Sequence, residues 1–540
     1  MKNGQLISDE FGLSFEVKEE SADLAGYDCV EMNSKAVSKI AQMLKSSLGP
    51  CGMDKIIVDQ DNKITMTNDG ATILKEYVSK NKGCVMELLK QLSDAQESEI
   101  GDGTTSIIVF ANALLRETLK LMKLGMHPVK ISEGINNALT YVLDEMKTQF
   151  TTKLDKDINK KREMCMYAVK TALNSKIAKS FKDLNKVCVD ALYSVADLER
   201  MDVDLEKINI KTIKGGVIDQ TELLKGVLLE KEVVGEEKLL RVLKEKKEIK
   251  ICLLACPFEP PKLKTKSKLL ISTAEEYKKL SEYERETFIK MIDKVKSIGI
   301  DLVLCQWGFD DEATSMLIEQ GLPAVRWVGG HELGHIAALT DAKIISRFDF
   351  LTEDCIGKAM IKISKVGTET QKFIYIRKEN NVISTILIKS SNKFLSEEIE
   401  RSVDDALCAA RNVLVADEIV YGGGSLEINL YKRLNNYDDE SGHILTLLGS
   451  EDHACFRAFS NALLEIPIAL AENAGYENEY VEEILKDKST KKHLGIGIKG
   501  TQNDMKTENV FESLRSKKKQ YTMAVDFVCS ILKIHQVIKN

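Results

Sequence analysis

The residues best suited to chemistry lie in one run, Glu99-Ile100-Gly101-Asp102-Gly103-Thr104-Thr105-Ser106, followed by the apolar segment Ile107-Ile108-Val109-Phe110-Ala111. Glycines on both sides of Asp102 let a backbone approach a ligand and turn where a Cβ would forbid it. The apolar segment has helical length. The first amides of a helix lack internal partners and, with the helix dipole, favour an anion such as phosphate. Asp102 adds a hard oxygen ligand suited to Mg²⁺, and Thr104 and Thr105 add hydroxyl donors. The run reads as a nucleotide-phosphate loop. Alone, it also fits a plain Gly-Asp turn with a threonine N-cap. It is not a Walker A loop, because no Gly-Lys-Ser/Thr ends it.

Three other places carry groups of interest. Asn68-Asp69-Gly70-Ala71-Thr72 puts Asp69 at a helix start, where a surface N-cap is the ordinary explanation. Ile419-Val420-Tyr421 runs into Gly422-Gly423-Gly424-Ser425, a second glycine-rich opening to a helix. His331-Glu332-Leu333-Gly334-His335 is a literal H-E-x-x-H, which in zinc peptidases places two histidines on one helix face with the glutamate as base. Here Gly329-Gly330 precede it, a glycine sits inside it, Thr340-Asp341 soon end the helix, and no third histidine follows nearby. We read that match as coincidence.

The elements that must position these groups follow from pattern. Apolar residues recur with helical spacing from Ala36 to Leu48, with Asn33 as the expected N-cap and Leu48-Gly49-Pro50 as the stop. Lys55 to Val58 and Ile64 to Thr67 flank Asp61-Asn62 as a hairpin. Helices are expected from about Lys75 to Met146, broken at Gly125-Met126-His127-Pro128. Ala172-Leu173-Asn174-Ser175-Lys176 falls between helical segments. From residue 216 to about 365, apolar runs at Ile249 to Leu254, Leu302 to Cys305 and Ala324 to Val328 alternate with helical stretches, the texture of a separate α/β domain. Inside it, Pro257-Phe258-Glu259-Pro260-Pro261 precedes Lys262, Lys264, Lys266 and Lys268. An amphipathic helix with Tyr277, Leu280, Phe288, Ile292 and Val295 on one side comes next. We expect this part to stand out as an extension. Strands at Phe373 to Ile376 and Thr385 to Ile388 lead to a helix from Ser396 to about Val413, and Asp405 lies beside its packed face, near Cys408 and Ala409. The chain closes on a helix from Tyr521 to Val537.

Composition bounds the function classes. At 540 residues, two to four domains are expected. A net charge of −7 disfavours a general nucleic-acid or membrane-surface binder, and two Trp leave little for base stacking. Cys252 and Cys256 are close, but no second pair has zinc-finger spacing, and most cysteines lie in apolar runs. Reduced thiols and a cytosolic location are therefore expected.

Several motifs in order resemble those of group II chaperonins, a resemblance that covers nearly the whole chain. They are Ser47-Leu48-Gly49-Pro50-Cys51-Gly52-Met53-Asp54-Lys55, Thr67-Asn68-Asp69-Gly70-Ala71-Thr72-Ile73-Leu74, the Gly101–Ser106 run, Asp405-Ala406-Leu407 and Val420-Tyr421-Gly422-Gly423-Gly424. The stretches Cys256-Pro257-Phe258-Glu259-Pro260-Pro261-Lys262, Cys305-Gln306-Trp307-Gly308-Phe309 and Leu322-Pro323-Ala324-Val325-Arg326-Trp327 look like one subunit type of the eukaryotic cytosolic ring complex.

The resemblance implies an α/β multidomain chaperonin architecture. It predicts a mostly helical equatorial domain (1–151 with 409–540), a small α/β intermediate domain (152–215 with 370–408) and an apical α/β domain (216–369) with a helical protrusion at about 257–298. It implies an ATPase subunit of two stacked eight-membered hetero-oligomeric rings that enclose unfolded clients such as actin and tubulin. By the same resemblance Leu48, Gly49 and Pro50 line the nucleotide (ATP or ADP), Asp102 binds Mg²⁺, and Gly103, Thr104, Thr105 and Ser106 hold phosphates. Asp69 and Asp405 would orient the attacking water, and Lys176 would approach the γ-phosphate. By the same resemblance Gly70, Ser175 and Gly422 also belong to the nucleotide-binding set. Gly423, Gly497, Glu512 and Lys517 fall where the family contacts ribose and adenine.

Two departures stand out. Lys389-Ser390-Ser391 replaces the family's Arg-Gly-Gly, losing a planar fork and glycine's freedom. Leu494-Gly495-Ile496-Gly497 replaces Leu-Gly-Ile-Asp, losing a carboxylate. A subunit that holds nucleotide but hydrolyses little is the alternative reading, with a zinc peptidase a distant third.

Overall fold

Ile107 to Leu115 is apolar on nearly every side, and a helix of that kind can only sit inside others. In the computed structural model the Thr104–Lys123 helix is the axis of the first core. Around it pack Tyr27–Lys45, Pro128–Glu145, Ser450–Leu463 and Leu514–Leu532. The Phe110 ring stands edge-on to Phe459 at 5.6 Å and to Tyr521 at 5.1 Å. Each such pair adds about 0.5–1.5 kcal/mol beyond its buried area. Early and late parts of the chain thus share one core. The structure describes residues 25–58, 62, 64–80, 83–154, 157–174, 181, 183–259, 271, 273–365, 372–379, 382–416, 418–435, 450–477, 479–486, 493–498 and 500–537.

A second core joins the helices Ile158–Leu173, Leu184–Val195 and Lys393–Ala416 to a three-stranded sheet. In that sheet Ser384–Ser390 is central, parallel to Ile208–Lys214 and antiparallel to Glu222–Lys225. The Lys393–Ala416 helix is continuous, starting among the second core and ending against the first, so one rigid rod joins the two.

The third region is built on an eight-stranded mixed sheet. Its order is Val227–Leu229, Lys372–Arg377, Gly357–Lys365, Ile249–Leu254, Leu302–Cys305, Ala324–Val325 and Val233–Val234, with Ile344–Ile345 beside Ile249–Leu254. The strands Ile249–Leu254 and Leu302–Cys305 pair in parallel and are buried almost throughout, which is why they read as unbroken apolar runs. A boundary at 369/370 cuts inside this sheet, because Lys372–Arg377 pairs with Gly357–Lys365 on one side and Val227–Leu229 on the other. Likewise Glu222–Lys225, beyond residue 215, belongs to the three-stranded sheet.

The Ala274–Ser297 helix opens with a Thr273/Glu276 capping box, and Phe288, Ile292 and Val295 are buried. Tyr277, expected on the packed side, is 65% exposed, because only the second half of the helix reaches the sheet domain. The first half stands clear of it. Lys262, Lys264, Lys266 and Lys268 lie outside the described residues, as does Asp61 of the hairpin turn. The hairpin strands themselves pair Lys55 with Thr67 and Val58 with Ile64.

The first helix begins at Tyr27 rather than after Asn33. Asn33 is buried mid-helix and donates to Cys29 Sγ, since Cys29 and Val30 also have to reach the core and extend the helix backwards. Glu451–Asn473 is long and apolar enough to cross a bilayer by composition. It is two helices meeting at Leu464, and their apolar residues Phe456, Phe459, Leu463 and Ile466 fill the first core.

Candidate functional site: a cavity between two cores

The first and second cores enclose a cavity of about 560 Å³. Loops at the ends of helices form its wall. Leu48, Gly49 and Pro50 close one side, and Asp69, Asp102, Gly103, Thr104, Thr105 and Ser106 form another. Asp405 enters from the Lys393–Ala416 helix, and Gly423, Gly497, Glu512 and Lys517 complete the opposite end. The three aspartates, Asp405 lying hundreds of residues from the other two in sequence, therefore face one space.

Asp69 is the N-cap of the Gly70–Lys80 helix. Its Oδ2 accepts from Thr72 N at 2.9 Å and Thr72 Oγ1 at 2.8 Å, while Oδ1 accepts from Thr104 Oγ1 at 3.0 Å. The cap reading and a role in the cavity are thus compatible. Three donors leave one of about four acceptor positions on the carboxylate. Gly70 does not line the cavity. It lets the backbone pass Thr105, whose Cα and N both lie 2.9 Å from where a Cβ would be.

The phosphate-loop pattern folds in an unexpected detail. The N-cap of the Thr104–Lys123 helix is Gly103, at φ 81°, and no side chain caps the helix. Thr104 is the first helical residue, so a threonine N-cap is not what ends the turn. The leading amides keep no intrahelical acceptor and open on the cavity wall, where an anion fits. Asp102 Oδ1 accepts from Gly103 N at 2.7 Å, which fixes that carboxylate's direction.

Gly101 is also left-handed, at φ 76°, and a Cβ there would lie 2.3 Å from Cys408 Sγ. Gly101→Ala is therefore expected to destabilise the chain by about 1–3 kcal/mol from backbone strain alone. Adding Cys408→Ala should restore only the part due to collision. Thermal unfolding of the single and double variants checks both.

At the other end, Gly422 donates its N–H to Val510 O and packs beneath Glu512, with Gly423 next to it on the wall. Lys517 Nζ lies 2.8 Å from Glu427 Oε1 and 2.9 Å from Glu512 Oε2. Burial by itself would lower the Lys517 pKa, but the two carboxylates outweigh it and hold it above the ordinary value. Burial pushes the Glu512 carboxyl up, against the pull of Lys517. At Gly497, where a carboxylate was noted as missing, a Cβ would fall 1.7 Å from Asn503 Nδ2. The amide of Asn503 fills the room the glycine leaves.

Ser175 and Lys176 lie outside the described residues. Lys170, Thr171 and Asn174, just before them, line the cavity. Sequence reasoning missed these, together with Asn68, Asn412, Asn503, Met505 and Ser513. Asn68 and Asn174 sit inside recognised motifs. The others carry no local signal.

The H-E-x-x-H residues do not line this cavity and lie on the Gly330–Thr340 helix. Glu332 accepts from Gly329 N at 3.1 Å and pairs with Lys211 at 2.9 Å. His335 is buried, and its Nδ1 accepts from Asn209 Nδ2 at 2.9 Å. Burial, then the neighbouring His331, lowers its pKa. These residues bind the Gly330–Thr340 helix to the Ile208–Lys214 strand.

A model of the TCP-1/cpn60 chaperonin family matches residues 40–540. The chain is 42% identical to T-complex protein 1 subunit epsilon of Encephalitozoon cuniculi over 543 aligned positions, 99% of each chain. It is 34% identical to Thermosome subunit alpha of Saccharolobus shibatae and of Saccharolobus solfataricus, each over 536 positions, 97% of this chain and 93% of the relative. The chain belongs to the TCP-1/cpn60 chaperonin family.

Proposed function

We propose that this chain is an ATP-hydrolysing subunit of a hetero-oligomeric chaperonin of two stacked eight-membered rings, in which hydrolysis drives closure around unfolded cytosolic proteins. What carries the reading is the single cavity that gathers Asp69, Asp102 and Asp405 at an uncapped helix start. Phosphoryl transfer depends on positioning and on neutralising spread charge. The amides of Thr104, Thr105 and Ser106 would bind phosphate oxygens, and Asp102, its direction fixed by Gly103, would hold Mg²⁺. When bound, that ion would offset phosphate charge. Asp69 and Asp405 hold and polarise the attacking water. Lys176 is assigned to the γ-phosphate from the family pattern. Glu512, Lys517, Gly423 and Gly497 take the nucleoside end, with the Asn503 amide in place of a carboxylate. The same reading puts the chain in the cytosol, which its twelve free cysteines support. Neither nucleic acid nor membrane is proposed as a partner.

The test is site-resolved: 8-azido-ATP should label this chain within the purified complex, and a chase should convert bound ATP to ADP at this site. Labelling of other chains with none on this one would overturn the reading.

A second reading, nucleotide held with little hydrolysis, is favoured by the hinge. Lys389 Nζ pairs with Glu222 at 2.9 Å, Ser390 Oγ bonds Asn392 O at 3.0 Å, and Gly215 N bonds Ser390 O. Those ties would stiffen the segment where the family has arginine and glycines. ATP persisting on this chain after the chase, with ADP elsewhere, would favour it.

A further inference from the structure

Two buried side-chain amides hold the loop before the Thr104–Lys123 helix from opposite sides. Asn412 Nδ2, on the Lys393–Ala416 helix, donates to Ile100 O at 2.9 Å. Gln96 Nε2, on the Cys84–Glu99 helix, donates to Asp102 O at 2.8 Å. The carbonyls on either side of Gly101 are thus each tied to a different helix. Asn412 is 2% exposed and Gln96 is fully buried. Among the described residues, neither Asn412 Oδ1 nor Gln96 Oε1 has a hydrogen-bond partner, so only the donor half of each amide is in use. Asn412 also lines the cavity.

The register of the longer helix adds weight. Asp405, Cys408 and Asn412 are spaced i, i+3 and i+7, a single face. Asp405 reaches the cavity, Cys408 packs on Gly101, and Asn412 grips Ile100 O. A shift of this helix therefore moves one aspartate and pulls on the loop that carries another.

We propose that Asn412 is a positioning residue for the phosphate and Mg²⁺ site: with Gln96 it clamps the two carbonyls flanking Gly101 and so sets the aim of Asp102. The assignment rests on the nucleotide reading of the cavity. Residues behind metal ligands cost about 10–100-fold in metal affinity or activity when lost. Asn412→Leu removes the donor without adding charge. Asn412→Asp keeps the shape but sets a carboxylate against the Ile100 carbonyl and near Asp102 and Asp405.

The experiment uses the assembled complex carrying either variant in this chain. Its readouts are 8-azido-ADP labelling of this chain without metal, the Mg²⁺ concentration giving half-maximal ATP labelling, and hydrogen exchange across residues 100–106. The expected result for Asn412→Leu is a Mg²⁺ midpoint raised about tenfold, faster exchange in the loop, and metal-free ADP labelling that changes far less than the midpoint. Asn412→Asp should shift the midpoint further, and Gln96→Leu should resemble Asn412→Leu. A Mg²⁺ midpoint that does not move, or metal-free labelling that falls by the same factor, overturns the assignment. Wild-type complex with no nucleotide on this chain under any condition would remove the nucleotide reading itself, and this assignment with it.

Discussion

Asp405→Ala in this chain is expected to lower ATP turnover at its site by about 10²–10⁴-fold, the usual worth of a positioned acid–base group, while nucleotide binding stays nearly intact. The difference between the two effects comes from where the residue is held. The phosphate loop, the Gly70–Lys80 helix start and the Gly423 segment belong to the first core, so they hold ligand whether or not the second core is engaged. Asp405 sits on the rod that links the two. An interaction made only in the transition state lowers kcat when removed and leaves ground-state binding alone. Single-turnover hydrolysis by a complex carrying the variant in this one chain, beside equilibrium labelling, separates the two quantities. Turnover equal to wild type at this site would count against a water-positioning role. Equal loss of binding and turnover would make Asp405 structural. Asp69→Ala should behave differently, because Asp69 also caps a helix through Thr72. Its loss should cost stability, about 0.5–2 kcal/mol, as well as rate.

The sequence carried the local parts of this site. Gly-Asp-Gly-Thr-Thr before an apolar run specifies a loop and a helix start, because turn freedom and helix amides are short-range properties, though not that Gly103 would leave that start uncapped. The strands Ile249–Leu254 and Leu302–Cys305 were legible for a similar reason: a run buried on both faces has no polar alternation to confuse it. Convergence was not legible. Nothing near Asp405 says that its helix passes Gly101, and only the family resemblance joined it to Asp102. Cys408 against Gly101, Asn412 on Ile100 O and Asn503 beneath Gly497 are pairings of distant segments with no period to reveal them. The sheet boundary failed similarly. Lys372–Arg377 and Ser384–Ser390 are both short apolar strands, and which sheet each joins is set by long-range pairing. The Asn33 start was a case of propensity outvoted: asparagine favours caps, but burying Cys29 and Val30 extends the helix past it.

The largest effect on stability should come from Lys517→Met. Lys517 is 3% exposed, and its ammonium is shared by Glu427, itself fully buried, and Glu512. Tyr521 OH donates to the same Glu427 Oε1 at 2.9 Å, one helical turn from Lys517. Glu427 Oε2 has no partner among the described residues. Methionine of similar length fills the space but leaves two carboxylates facing each other with no cation between them. Removing one partner of a buried ion pair costs about 3–5 kcal/mol, because the remaining charge is stranded in low dielectric. The cost should depend on pH in a definite direction. The Glu512 carboxyl already lies above its ordinary pKa through burial, with Lys517 opposing the shift. Without that ammonium it rises further. A carboxyl raised in the folded state costs nothing below its unfolded pKa and costs progressively more as pH rises toward the folded value. The variant's deficit should therefore be smaller near pH 5 than near pH 8. Pairing Lys517→Met with Glu427→Gln should recover part of the loss, since the stranded charge goes with the carboxylate, and a double-mutant cycle on urea midpoints measures the coupling. Glu512 and Lys517 both line the cavity and are paired, so the single variant should also weaken nucleotide labelling. A deficit that is the same at both pH values, or a double variant no better than the single, would mean that the network is held by packing around Lys517 rather than by its charge.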